Sequence, residues 1–548
     1  MVPSLEVRKE GPAYSRRRKA FLHKTAKSVS EIQSNVNNLA DVLVFLEVLG
    51  YSAKTVRDNG FKDMRDLARN VYEVIDFYDS KTSSGAKPFL YRMPTVSRRL
   101  LEGVALAAPW LMMLPLVFVF GFSLWMDWRL PAASMTALAL GVLVGMLVSE
   151  GQVWMFSRLF LFYHSQTNLA ETRRIITRSY SLFAVLITAT VVTLFAGGLV
   201  ARVPLGLIGI ASAATVTMAF HRFSFTVVYT LRKVMLSVLA YAGALATLLT
   251  TYFFTTGLLP DPVTRYLASL GGAFVVLSVA ALYCTRQALS PVTSKASLEA
   301  PHFFKPLNVN KETLHSRFAV QVWENSPYYL YGSFFIVMLF GDRIIAWAYN
   351  PVRLAGAQAL PLVFNTVYHM GADMALFVLF PVGLVQYVMV GHVFELLHNL
   401  SLESPSTDPS AIDRFVRRRY LQTLLLTVTV SGSIAAALIL AAPSLIGTLN
   451  GTSVSVGILR VAAFSNVFLA VFTANSSFVM LLNRARALAA IALVCALILG
   501  LGGILLGRLG FQEIIFAYLS SCVAAACLSS LETKRLMKRP GSLFLSRF

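Results

Sequence analysis

Asp342, Arg343 and Asp373 are charged residues inside two consecutive apolar segments of this sequence, where charge is costly. Asp342 and Arg343 interrupt the run LFGDRIIAWAY at 339–349, and Asp373 interrupts the next apolar segment. A charge at the centre of a membrane helix costs roughly 2.5 to 3.5 kcal/mol on insertion scales, so such residues usually face a bundle interior or a water-filled path. These residues are therefore candidates for contact with a charged substrate or for proton coupling.

The spacing of these residues predicts which of them meet. Asp342 and Arg343 are adjacent, so on a helix they point about 100° apart, and we expect each to find its partner elsewhere. Asn365, His369 and Asp373 recur every four residues and form one polar stripe on a helix. Arg343 is long enough to reach Asp373 if the two helices are neighbours. All five residues are assigned to a predicted substrate or ion path.

The depth of these residues follows from the predicted helix starts. Ser326-Pro327 is typical of a helix start, with Ser as the cap and Pro at the first helical position. At about 1.5 Å per residue, Asp342 then lies roughly 22 Å across, in the outer third of the membrane. Counted from Leu362, Asp373 lies roughly 17 Å deep, close to the midplane.

Structural roles are the alternatives for all of these charges. Near the outer interface, Asp342 and Arg343 would both extend to water, whereas a buried ion pair would fix helix packing. Weaker candidates for the path are polar residues that membrane helices also use as interface anchors or as interhelical hydrogen-bonding groups. These weaker candidates are Glu150, His221, Arg222 and Asn466.

The apolar segments define the class of protein. Of the 548 residues, 56% are hydrophobic and 14% are charged, against about 25% charged in soluble domains. About twelve segments after residue 100 hold roughly 20 apolar residues each, enough to cross a hydrocarbon core of about 30 Å. The sequence predicts an all-α polytopic membrane protein. The predicted segments centre near residues 114, 142, 191, 216, 245, 274, 337, 376, 430, 468, 495 and 520.

The loop charges predict the orientation of the helices. The formal net charge is +21, and the basic residues gather in every second connection, as the positive-inside rule requires of cytoplasmic loops. Both termini are therefore predicted to be cytoplasmic. Because such loops face anionic lipid, we predict membrane lipids as partners and no nucleic acid. The basic clusters include Arg173, Arg174 and Arg178; Arg414, Arg417, Arg418 and Arg419; and Lys534, Arg535, Lys538 and Arg539.

A long connection near the middle of the chain divides the predicted segments into six and six. We predict a cytoplasmic N-terminal helical domain with a linker at 1–98 and a first six-helix lobe at 99–286. A central cytoplasmic connection at 287–324, a second six-helix lobe at 325–532 and a basic cytoplasmic tail at 533–548 follow. A site between two lobes is typical of transporters built from repeated bundles.

Sequence motifs for other chemistries are missing. The sequence has no GxxxxGK[ST] nucleotide-binding loop, no HExxH motif and no nucleophile elbow. Its four cysteines form no CxxC pair, so no metal site, disulfide framework or cofactor is predicted. We therefore predict a secondary transporter or flippase rather than an enzyme, driven by an ion gradient, the membrane potential or a polymerising partner.

Three segments resemble a known family. ENSPYYLYGSFFIVMLFGDRIIAW (324–347), FNTVYHMGADMALFVLFPVGLVQYVMV (364–390) and LEGVALAAPWLMMLP (101–115) resemble PelG-type exopolysaccharide transporters of the MOP flippase superfamily. The resemblance implies a MOP/MATE-like carrier of two six-helix lobes in the bacterial inner membrane. It also implies a cationic amino-sugar polymer as substrate, with a cytoplasmic glycosyltransferase and small membrane partners that respond to cyclic-di-GMP.

The N-terminal 100 residues depart from that family, whose members begin almost directly with the first membrane helix. We interpret this extension as a docking platform for a synthase subunit, with a stabilising cap as the alternative. The function predicted first is export of a polysaccharide or its lipid-linked precursor, by alternating access or as a conduit. The alternatives are a MATE-like cation-coupled small-molecule antiporter and a membrane scaffold for a polysaccharide synthase that does not itself transport.

Overall fold

The computed structural model describes residues 18, 20–26, 28–29, 39–49, 51, 53–82, 102–104, 130–165, 169–231, 233–289, 318–350, 361–403, 409–538 and 540. Within these ranges every regular element is a helix and none is a β-strand.

Besides a helical stretch at 20–26, the described residues hold three helices before the membrane region. They are α1 (Leu39–Val48), α2 (Ala53–Asp58) and α3 (Met64–Thr82). Their apolar side chains form a small core of their own, to which Val42, Leu46 and Val71 contribute without measurable exposure. The apolar spacing of three and four residues in this part of the sequence accounts for both the helices and the buried faces.

Within the described residues, 11 helical segments are long and apolar enough to cross a membrane. They contain the predicted centres from residue 142 onward, which confirms an all-α polytopic membrane fold; the predicted segment near residue 114 lies outside the described residues. Twelve helices form these segments, because α10 and the first part of α11 together make one segment. They are α4 (Ala132–Ser165), α5 (Leu169–Val200), α6 (Leu205–Thr230), α7 (Val234–Phe254), α8 (Pro262–Ala288), α9 (Phe318–Ala348), α10 (Thr366–Ala375), α11 (Phe380–Glu403), α12 (Pro409–Thr448), α13 (Ser453–Leu481), α14 (Ala485–Gly507) and α15 (Ile514–Leu536).

The two ends of the bundle differ in charge. Helices α4, α6, α8, α11, α13 and α15 end at the side where the basic clusters lie, which we call the basic end. Its assignment to the cytoplasm, like the position of both termini, stays a prediction.

Small residues bring α4 and α6 into close contact. A Cβ atom added to Gly141 would lie 2.3 Å from the carbonyl oxygen of Ala211, and one added to Gly145 would lie 2.8 Å from that of Thr215. The Thr215 hydroxyl donates to the Gly141 carbonyl at 3.1 Å. This is the small-xxx-small packing that membrane helices use where lipid removes the hydrophobic drive for association.

Two large apolar clusters divide the membrane helices, and α9 belongs to both. One cluster gathers side chains of α4 to α8, and the other gathers side chains of α9 to α15. From α9, Phe340 and Trp347 join the first cluster, whereas Met338 and Ala346 join the second. Helix α9 packs mainly on α4 and α14, so residues on it are placed where the two groups of helices meet.

Helix α9 begins earlier than the sequence indicated. The predicted start at Ser326-Pro327 is wrong, because the helix begins at Phe318 and carries Pro327 in its interior. Pro327 has no N–H to donate to the carbonyl of Trp323, but the Ser326 hydroxyl donates to that oxygen at 2.7 Å. A neighbouring hydroxyl thus compensates for the proline, as occurs in membrane helices.

The next segment is interrupted. Helix α10 begins at Thr366 rather than near Leu362 and ends at Ala375, and a 3₁₀ turn, Leu376–Val378, separates it from α11. Pro381 accounts for the interruption, since it has no N–H to continue the helical ladder toward residue 377. Asp373 consequently lies in the second turn of a short helix, roughly 11 Å from its start.

Candidate functional site

Helices α9 and α10 bring together the charged residues singled out in the sequence. The Arg343 guanidinium donates from Nε to Asp373 Oδ1 at 2.7 Å and from Nη1 to Asp342 Oδ1 at 2.9 Å. The predicted contact between Arg343 and Asp373 is therefore present. Its assignment to a substrate or ion path stays a prediction.

The expectation that Asp342 and Arg343 do not pair is wrong. Their Cα–Cβ bonds diverge on the helix, but the arginine side chain is long enough to turn back toward its neighbour. Its Nη1 also donates to the carbonyl of Leu339 on the preceding turn at 2.8 Å. The other oxygen of Asp342 accepts a hydrogen bond from the Tyr368 hydroxyl at 2.9 Å.

His369 extends the network on the far side of Asp373. Its Nδ1 lies 2.8 Å from Asp373 Oδ2, and the Trp347 indole donates to its Nε2 at 2.9 Å. Because an indole N–H is a donor only, Nε2 must accept and Nδ1 carries the hydrogen. His369 is thus held as the neutral tautomer that donates to Asp373. We call these residues the Arg343 network: Asp342, Arg343, Trp347, Tyr368, His369 and Asp373.

Burial and charge distinguish Asp373 from the rest of the network. The side chains of Asp342 and Arg343 are 0% and 1% exposed, whereas that of Asp373 is 22% exposed. With His369 neutral, two carboxylates face one guanidinium and leave one excess negative charge. In a site that largely excludes water, that charge attracts a cation more strongly than it would in solution. Asp373 is the more exposed carboxylate of the network.

Asn365 caps the start of α10. Its Oδ1 accepts from the Tyr368 N–H at 3.0 Å, and its carbonyl accepts from the His369 N–H at 3.0 Å. The side-chain Nδ2 is buried and has no hydrogen-bond partner among the described residues. The stripe predicted from the four-residue spacing therefore begins with a helix cap and continues into the Arg343 network.

Glu150 and Arg222 form a second buried ion pair, between α4 and α6. The Trp154 indole donates to Glu150 Oε1 at 3.1 Å. We call Glu150, Trp154 and Arg222 the Glu150 cluster. It lies against α9, since Trp154 meets the ring of Tyr331 edge-on with centroids 5.4 Å apart, and a Cβ added to Gly332 would lie 2.9 Å from the Glu150 carbonyl oxygen.

The remaining weaker candidates, His221 and Asn466, make packing contacts, and their assignment to the path stays a prediction. His221 lies next to Arg222 in sequence, but its Nε2 is 2.9 Å from the hydroxyl of Tyr241, deep in the first apolar cluster. Asn466 donates to the carbonyl of Ala375 at 2.7 Å, at the end of α10, and accepts from Tyr518 at 2.6 Å. Asn466 therefore satisfies a carbonyl left by the helix interruption.

Two members of the network were missed in the sequence. Trp347 carried one usable signal, because it lies four residues after Arg343 and so shares its helix face. Tyr368 carried none, since its hydroxyl reaches Asp342 only through the packing of α10 on α9. Within the described part of the chain, no group of three His, Cys, Asp or Glu side chains is placed to hold a metal ion.

Solved structures with a similar fold are MATE transporters. The MATE transporter ClbM in complex with Rb⁺ is 12% identical, with 83% of this chain and 98% of that one covered and a TM-score of 0.53. An outward-facing multidrug resistance MATE family transporter of the MOP superfamily is 10% identical, with 81% and 97% covered and a TM-score of 0.54. An inward-facing one is 12% identical, with 80% and 94% covered and a TM-score of 0.52.

No protein family profile matches this chain, and no curated protein matches its sequence. The resemblance to PelG-type exporters thus stays a prediction. The chain has the fold of the MATE transporters of the MOP superfamily.

Proposed function

We propose that this protein is a secondary transporter that uses the Arg343 network to bind a cationic cargo or a coupling cation. The observation that carries the proposal is the excess of carboxylates, two against one guanidinium, with Asp373 partly exposed. An unbalanced charge inside a membrane bundle is costly, and a binding site would offset that cost by attracting a cation. The fold of solved MATE transporters supports the same conclusion.

For the cargo we propose a polysaccharide or its lipid-linked precursor, exported as part of a synthase-export complex in a bacterial inner membrane. The sequence resemblance that supports this cargo covers 101–115, 324–347 and 364–390, and the last two segments include α10 and the part of α9 that build the Arg343 network. A cationic amino-sugar polymer would complement the excess negative charge. A cytoplasmic glycosyltransferase and small membrane proteins are the partners proposed with it, and the N-terminal domain is the part proposed to dock them.

Surface and secreted polysaccharide should be measured in the native host with and without this protein, at matched growth. We expect the polymer to be lost on deletion and restored by the wild-type chain. A variant in which Arg173 is changed to Gln, far from the network and exposed, serves as a control and should restore it equally. Unchanged polymer in the deletion strain would contradict the proposed cargo.

A cation-coupled small-molecule antiporter is the second candidate, favoured by the structural similarity to multidrug resistance MATE transporters. Accumulation of cationic drugs in cells that lack the protein separates the two candidates. Raised drug accumulation with unchanged polymer would support the antiporter. A scaffold without transport activity predicts a third pattern, in which point variants of the Arg343 network keep both an intact synthase complex and full polymer export.

A further inference from the structure

A cavity of about 560 Å³ opens between α14 and α15 at the basic end. Its floor is apolar and includes Ile491, Leu528 and Leu531. Leu531 is 61% exposed, so the floor faces the surroundings of the bundle rather than its core. Cavities that hold small ligands span about 300 to 1,000 Å³, so the size suits a molecular group larger than an ion.

The rim of the cavity is cationic. Lys534, Arg535 and Lys538 line it together with a single carboxylate, Glu532, which lies 3.4 Å from Arg535. Three positive charges against one negative charge leave two in excess. The rim lies where the last membrane span ends at Leu536, and Leu531 and Leu528 lie roughly 8 and 12 Å from that end along the helix. The basic side chains of the rim therefore lie at the level expected for lipid headgroups, and the apolar floor lies at the level expected for acyl chains.

Arg417 removes an obstacle to anion binding at this position. The C-terminal end of a helix carries unpaired carbonyls and partial negative charge, which disfavour an anion. Arg417 of α12 donates from Nε to the carbonyl of Met537 at 3.1 Å and from Nη2 to that of Lys538 at 3.1 Å. The end of α15 is therefore capped by a cation. Arg417 also lines a shallower basic cavity of about 460 Å³ with Arg414 and Arg418.

We propose that the cavity between α14 and α15 binds one anionic phospholipid, with its phosphate against Lys534, Arg535 and Lys538. Its acyl chains lie on Ile491, Leu528 and Leu531. Basic residues that only set the orientation of the protein in the membrane would need contact with the bilayer surface. Here the basic residues instead surround a cavity with an apolar floor. Phosphatidylglycerol matches both halves of the cavity, and phosphatidylcholine, which carries no net charge, matches only the apolar half.

The test uses the purified full chain in detergent, offered phosphatidylglycerol and phosphatidylcholine at equal concentration, with bound lipid counted by native mass spectrometry. We expect one phosphatidylglycerol per chain in preference to phosphatidylcholine. Changing Lys534, Arg535 and Lys538 to Gln should weaken phosphatidylglycerol binding by about tenfold or more. The matched control changes Arg173, Lys233 and Arg286 to Gln, three exposed basic residues of the first lobe at the same end, and should leave binding unchanged.

A second variant, expected to strengthen lipid binding, distinguishes loss of the binding site from misfolding of the triple variant. Glu532→Gln removes the carboxylate from the rim and should strengthen phosphatidylglycerol binding severalfold. Equal loss in the cavity and control variants would overturn the proposal. So would equal binding of the two lipids by the wild-type chain, or a Glu532→Gln variant that binds phosphatidylglycerol no more tightly than the wild type.

Discussion

Two buried acid–arginine groups lie along α9, and they differ in their charge balance. In the Glu150 cluster one carboxylate meets one guanidinium, and the side chains of Glu150 and Arg222 are 10% and 27% exposed. In the Arg343 network two carboxylates meet one guanidinium that is 1% exposed. Gly332 of α9 contacts the first group, and Arg343 of the same helix belongs to the second. These two residues lie roughly 16 Å apart along α9.

The comparison separates a packing role from a binding role. A one-to-one pair satisfies its own charge, so it needs nothing from outside and fixes the contact of α4, α6 and α9. A two-to-one network retains one excess negative charge, which a bound cation would compensate under the proposed function. The site with the larger unmet charge is therefore the candidate for transport, although both groups combine acidic residues with an arginine and a tryptophan.

The largest difference is expected when the arginines are removed. Arg343→Leu leaves two buried carboxylates without a cation and should destabilise the fold by about 3 to 5 kcal/mol or prevent its accumulation. Arg222→Leu leaves one carboxylate beside a position that water can reach, so its cost should be smaller. Abundance in membranes and the thermal midpoint in detergent measure both. An Arg222→Leu variant as unstable as Arg343→Leu would remove the distinction between the two groups.

Asp342→Asn converts the Arg343 network into a one-to-one pair, like the Glu150 cluster. The amide oxygen still accepts from Arg343, the amide NH₂ can donate to the Tyr368 hydroxyl, and Arg343 keeps Asp373, so stability should change by no more than about 1 kcal/mol. Transport per molecule should fall by about tenfold, the effect of one lost charge contact of ordinary strength. Transport assays normalised to membrane abundance measure this.

Glu150→Gln is the matched comparison for that change. It leaves Arg222 without its acid and should lower abundance, while transport per molecule stays within about twofold of the wild type, a difference of less than 1 kcal/mol. The reverse pattern, with Glu150 controlling transport and Asp342 controlling abundance, would assign the two roles the other way round.

The smallest effects are expected from the two tryptophans that donate to these groups. Trp347→Phe leaves Nε2 of His369 without its donor in a fully buried position, and should cost about 1 to 3 kcal/mol. Trp154→Phe should cost less than about 1 kcal/mol, because Trp154 is 36% exposed and water can replace its hydrogen bond to Glu150. Thermal midpoints of the two variants provide the comparison, and a larger loss for Trp154 would contradict it.

The fold was accessible from the sequence because its signals are local. Runs of about 20 apolar residues predicted every membrane span found in the described residues, and the reach of Arg343 predicted its contact with Asp373. The bounds of α9 were not accessible in this way. Pro327 was interpreted as a helix start, and only the hydrogen bond from Ser326 to Trp323 explains why the helix continues through it.

The rest of the site depends on packing between helices. Tyr368 and Trp347 join the network through the rotation of α10 against α9, which hydropathy does not encode. The balance of charge in the Glu150 cluster depends in the same way on the contact of α4 with α6, so in the sequence Glu150 and Arg222 were separate weak candidates. Pro381 was visible beforehand and was the one local signal of the helix interruption.

The most direct test of the binding role of the Arg343 network is transport by Asp373→Asn at matched membrane abundance, measured with whichever activity the deletion strain loses. The Asp342–Arg343 pair remains in this variant, so we predict a folded protein whose transport falls about tenfold or more, on the order of one lost charge contact. Asp373→Glu, which keeps the charge, should recover part of the activity. Undiminished transport by Asp373→Asn at normal abundance would contradict the binding role and leave the network as a packing feature.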